Sequence, residues 1–101
     1  HPWPLSELAV TYASLGNQES ADAIYNELAA RNRIDVVQPT PFALAAVCAG
    51  RLDDAIALGH RAVEERDTHI RWAALDDRWE GWKPIESHPG WPALKQRIEN
   101  W

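Results

Sequence analysis

Methionine is absent from this chain, and cysteine occurs once among its 101 residues. A lone Cys48 excludes an intramolecular disulfide and leaves no thiolate cluster to hold a metal, so the expected setting is a reducing cytoplasm. Basic charge is also scarce: 10 lysines and arginines stand against 15 acidic residues, for a net charge of -5. They form no basic stripe, which argues against a nucleic-acid partner. The longest apolar stretch, Pro41 to Gly50, falls well short of the roughly 20 residues needed to cross a bilayer, and no basic amphipathic segment suggests attachment to a membrane surface. The opening His1-Pro2-Trp3-Pro4 resembles neither a signal peptide nor an initiation site, so the expectation is a piece of a longer polypeptide.

What is present is apolar: 46% of the residues are hydrophobic, enough for one core in one domain. Comparison of the chain with itself reveals a period of 34 residues, pairing Ala9 with Ala43, Gly16 with Gly50, Ala21 with Ala55, and Leu28 with Ala62. In the first unit Leu5, Leu8, Ala9 and Tyr12 recur at helical spacing, and Gly16 supplies a stop. Asn17 is positioned to cap the next helix, whose apolar stripe is Ala21, Ile24, Tyr25 and Leu28. The second unit repeats the scheme, with Thr40 as cap, Pro41 at the first helical position, Phe42, Ala43, Ala46 and Val47 inside, and Gly50 as stop. A partner helix from Leu52 to Arg66 follows, with Asp53 and Asp54 in its first turn, where the helix dipole favours negative charge.

These spacings resemble the tetratricopeptide repeat family, whose pattern runs Trp-x2-Leu-Gly-x2-Tyr and then Ala-x3-Phe. Leu5-x2-Leu8-Ala9-x2-Tyr12 and Ala21-x3-Tyr25 match it in the first unit. Pro39-x2-Phe42-Ala43-x2-Ala46 and Ala55-x3-Gly59-x2-Ala62 match it more loosely in the second, with Gly59 where the family prefers an aromatic. From Val37 onward the chain is similar to the closing segment of tetratricopeptide arrays in bacterial signalling and regulatory proteins, through Val37-Gln38-Pro39, Ala62-Val63-Glu64-Glu65-Arg66, Trp82-Lys83-Pro84-Ile85 and His88-Pro89-Gly90-Trp91. It departs from that segment in a longer stretch around Asp76 to Gly81 and in tryptophan at both tail anchors.

The resemblance implies an all-α fold of two antiparallel hairpins, at about 4–15/18–32 and 41–49/52–66, stacked in a right-handed α-α superhelix. A tryptophan-rich terminal cap would occupy about 69–77 and 89–99. The single domain then divides into repeats at about 2–35 and 36–69 and a cap from about 70 to 101. Trp72, Trp79, Trp82, Trp91 and Trp101 crowd into this last third, as a cap closing an apolar end face, or alternatively as an exposed cluster for a partner. A void beside Gly59 would be costly, so Trp72 or Trp79 is expected to fill it.

Function by resemblance is binding without catalysis. The first helix of each hairpin would line a concave groove, placing Ser6, Val10, Ala13, Ser14, Leu44, Val47 and Cys48 against a peptide, a helix or a neighbouring domain of a longer parent chain. Ser6 and Val10 replace the lysine and asparagine with which some relatives clamp a carboxylate-ended tail. Two alternatives stand beside the groove: closure by the chain's own tail, or pairing with a second copy in a homodimer. No cofactor, catalytic residue or metal ligand is expected. His60 and Glu64 share a helix face but lack a further histidine at zinc spacing, and His69 and His88 have nothing to bring them together. Cys48 has no cationic neighbour in sequence to activate it. The charged run Glu64-Glu65-Arg66-Asp67 reads as a solvated helix end.

Overall fold

The computed structural model describes residues 2–34, 37–71 and 80–100. They form α1 (Pro2–Ser14), α2 (Gln18–Ile34), α3 (Pro39–Cys48), α4 (Leu52–Glu64), a 3-10 segment (Glu80–Ser87) and α5 (Trp91–Glu99), with no strand among them. The chain is all-helical. No helix is long and apolar enough to cross a membrane among the described residues.

The helix ends follow from backbone geometry. Gly16 and Gly50 adopt φ of 75° and 74°, a left-handed conformation that costs glycine nothing sterically. At the first, the Asn17 N–H donates to Tyr12 O at 2.8 Å and the Gly16 N–H to Ala13 O at 3.1 Å. At the second, the Arg51 N–H donates to Ala46 O at 2.8 Å and the Gly50 N–H to Val47 O at 3.0 Å. The paired bonds satisfy carbonyls that a helix end leaves open. The two stops therefore repeat, bond for bond, at the period seen in the sequence. A third stop of the same form ends α4, where Arg66 takes a φ of 56° and the Asp67 N–H donates to Ala62 O at 2.8 Å.

The expected Asn17 cap is present, its Oδ1 accepting the Ser20 N–H at 3.2 Å. The start of α3 differs from expectation: the helix begins at Pro39 after Gln38, without a side-chain cap from a neighbour in sequence. Thr40 lies inside the first turn, and its N–H donates to Asp67 Oδ2 at 3.1 Å. A carboxylate distant in sequence thus replaces the local cap, because Pro39 supplies no N–H and leaves Thr40 the first free donor of the helix.

Helices α1 and α2 pack as one hairpin and α3 and α4 as another, and α3 also touches α1, α2 and the 3-10 segment. Every residue of α3 is consequently buried. Alanine makes this possible: Ala9, Ala21, Ala43, Ala45, Ala46, Ala55 and Ala62 are fully buried and let helix backbones approach closely. The same demand turns α1 so that small residues, Ser6 and Ala9, face inward while Leu8 points out. In α2 the expected stripe of Ala21, Ile24, Tyr25 and Leu28 is buried.

At the C-terminal end, Trp82, Ile85, Trp91, Leu94 and Ile98 are buried and join the same core. Trp82 and Trp91 thus act as cap residues, whereas Trp72, Trp79 and Trp101 lie outside the described residues. The expected partner of Gly59 among Trp72 and Trp79 also lies outside them. Leu94 of α5 occupies that place: a methyl group added to Gly59 would sit 2.5 Å from Leu94 Cδ2. The last helix starts at Trp91 rather than at His88 or Pro89, because His88 is used to hold the turn before it: its Nδ1 accepts the Gly90 N–H at 2.8 Å.

Candidate interaction surface

The two hairpins are held together by a row of side-chain contacts. Gln18 Nε2 donates to Cys48 O at 2.9 Å, and the Tyr25 ring lies 5.6 Å from that of Phe42. Tyr25 Oη donates to Asp54 Oδ2 at 2.8 Å, under the Arg51 guanidinium. Burial, then the hydrogen bond to the Asp54 carboxylate, push the Tyr25 phenol up to about 12. At the far end, Asn32 Oδ1 accepts the Val37 N–H at 3.0 Å while Arg61 Nη2 donates to Val37 O at 2.8 Å.

Of the seven residues expected to line a groove, Ser6, Leu44, Val47 and Cys48 are buried. Val10 and Ala13 are partly buried, and Ser14 alone is exposed. These four side chains are enclosed by the chain itself. The 3-10 segment lies against α3 and α1, and Trp82 and Ile85 are buried with it. The 3-10 segment thus covers part of α3 and touches α1. Burial also pushes the Cys48 thiol up to about 11, far from the thiolate state that nucleophilic or metal chemistry requires.

The histidines are engaged separately. His60 Nδ1 accepts from Arg97 of α5 at 2.7 Å, with Glu64 3.8 Å from the same guanidinium. The pair that resembled half a metal site is therefore part of the seam between α4 and α5. His88 Nε2 donates to Asp53, a tautomer fixed by the Gly90 N–H on the other ring nitrogen. His69 contacts Asp67 at 3.1 Å, beside the Gln38 amide. Among the described residues, no three histidine, cysteine or acidic side chains are grouped to hold a metal.

Asp67, expected in a solvated helix end, is instead buried. Its side chain is only 7% exposed, and it accepts from the Thr40 N–H, Gln38 Nε2 at 3.2 Å and the His69 N–H at 3.3 Å. Burial raises its pKa, but the hydrogen bonds from Thr40, His69 and Gln38 outweigh that and hold the carboxyl below its ordinary value. The available signal was an aspartate just past a helix stop and ahead of Ile70, a capping position.

Among the described residues, the exposed large apolar side chains lie on or just past α1. Leu8 is 42% exposed and Leu15, just past its end, 76%. Pro4, Leu8, Thr11 and Leu15 are exposed at helical spacing along one side, and Glu7 is the only charged residue between Pro2 and Ser14. By contrast α2 carries Glu19, Asp22, Glu27, Arg31 and Arg33. A helix with so little charge is usually enclosed. No protein-family model matches the chain, and neither a curated protein nor a solved structure matches it significantly.

Proposed function

We propose that this chain is a tetratricopeptide-type helical-repeat module that binds a protein partner through the outer side of α1, with its setting in a bacterial signalling or regulatory protein. The observation that carries the reading is the exposure of Leu8 and Leu15 on a helix with a single charge. Contiguous exposed apolar surface marks sites of association. Support for the repeat class comes from the two hairpins and their matching stops one period apart.

The test is a photo-crosslinking amino acid placed at position 15 of the protein in cells. A discrete protein adduct that disappears when Leu8→Ser is added supports the reading. Absence of any adduct above that formed from a crosslinker at Ser87 overturns it.

A further inference from the structure

The last helix is fastened to α4 near both of its ends by a histidine, one contributed from each side of the seam. At its start, His88 Nδ1 accepts the Gly90 N–H at 2.8 Å while the opposite ring nitrogen, Nε2, faces Asp53 of α4. Gly90 is the residue from which α5 begins, and it lies so near α4 that a methyl group added to it would sit 3.3 Å from Ile56 Cγ2. Towards the other end, Arg97 Nη1 donates to Nδ1 of His60 in α4 at 2.7 Å. Leu94 rests on Gly59 between these two fastenings. Asp53, Ile56, His60 and Glu64 follow one another at helical spacing, so the polar contacts and the apolar one share a single side of α4.

Both fastenings demand a neutral imidazole. A backbone N–H and a guanidinium can only donate, so each Nδ1 must keep its lone pair; an imidazolium carries a proton on both nitrogens and sets donor against donor. We infer that α5 is a clasp released by acid: it docks on α4 while His60 and His88 are both neutral, and uptake of a proton by each frees it, baring Trp91, Leu94 and Ile98. The charges around the two rings set the sense of the response. His60 is faced by Arg97 of α5, which together with burial opposes protonation, and by Glu64 of its own helix, which favours it. Helix α3, which also packs on α4, carries no charge. His88 is faced by Asp53, whose side chain is 95% exposed, so the ion pair gained on protonation is screened by water and is a weak return for the lost Gly90 bond. Lys83 and Glu86 of the 3-10 segment, and Lys95 and Glu99 of α5, are exposed.

The contacts lie between α4 and α5, so this inference goes beyond the interaction reading of α1 and does not depend on it. The experiment follows amide hydrogen exchange of the full chain from about pH 7 to about pH 5, corrected for the intrinsic pH dependence, with α2 as the internal reference. Protection of α5 relative to α2 is expected to fall by roughly tenfold or more over that range, as linkage to two groups that must stay neutral requires. His60→Gln and His88→Asn each keep an acceptor that cannot be protonated. Each should diminish the fall, and the double variant should abolish it. Titration of the two histidine rings by NMR gives a second measurement that needs no variant: both rings should take up their protons in step with the loss of α5 protection.

Protection of α5 that stays level with α2 across the range overturns the inference, whether neither helix loses protection or both lose it together. So does a fall that either single variant abolishes alone, since one histidine would then do all the work, or a fall that the double variant retains. Protonation of either ring with α5 still fully protected overturns it as well.

Discussion

Leu94 of α5 packs directly on the bare backbone of Gly59 in α4, so closely that a methyl group at position 59 would lie 2.5 Å from its Cδ2. Glycine in a helix interior sacrifices about 1 kcal/mol relative to alanine. Here it admits the side chain that docks the last helix, and Leu94 is fully buried.

Gly59→Ala is therefore expected to destabilise the protein by about 1 kcal/mol, despite its better helix propensity, because overpacking costs typically more than that gain. Leu94→Ala alone should cost about 2–5 kcal/mol. Chemical denaturation of the two single variants and the double variant checks the coupling: the double variant should be more stable than their sum by about 1 kcal/mol.

Asp67 gives a pH dependence with a definite sign. Its folded pKa is depressed, so it adds stability that is present above its ordinary value of 3.8 and is lost as the pH falls through the lower folded value. Thermal melts over the acid range should show a drop in midpoint that Asp67→Asn flattens. At neutral pH, Asp67→Ala should cost about 1–3 kcal/mol, since it leaves buried donors at the starts of two helical segments unmet.

His60 acts on a different seam. Burial first, then the Arg97 guanidinium, lower its pKa below 6.5, with Glu64 opposing. Its neutral form is the one that accepts from Arg97, so the seam is intact above that value and weakens as the pH falls through the depressed folded pKa. The protection of α5 amides against hydrogen exchange, corrected for the intrinsic pH dependence of the rate, should fall on acidification through this range in the native protein, and change less in His60→Gln.

The three helix stops differ in their tolerance. Arg66 holds a φ of 56° with a side chain that disfavours it, while Gly50 holds 74° with nothing near the position of an added methyl. Arg66→Gly should stabilise by up to about 1 kcal/mol and Gly50→Ala should destabilise by about 1–2 kcal/mol, from the left-handed penalty alone. Equilibrium unfolding in urea measures both.

Local signals read true where the physics is local. Gly16 and Gly50 announced their turns because few other residues take that backbone form, and Asn17 announced its cap because its side chain reaches the third residue beyond. The stripe of Ala21, Ile24, Tyr25 and Leu28 fixed the inward face of α2. The orientation of α1 was less legible, since period identifies an apolar face and not which neighbouring helix needs small residues against it. Thr40 was misread as a cap because the real acceptor, Asp67, arrives from the far end of the same hairpin, 27 residues on. Leu94 as the filler of Gly59, and the packing of the 3-10 segment on α3, likewise depend on the path of distant chain.

The complete enclosure of α3 bears on how the protein is made. Its covers come from both directions along the chain, and the 3-10 segment is made after both hairpins. Until then the side of α3 that meets the 3-10 segment faces water, as apolar surface of the kind that chaperones and proteases recognise. Truncation before Ile85 would therefore leave that surface open to proteolysis, so the segment after α4 acts as a latch on the two hairpins.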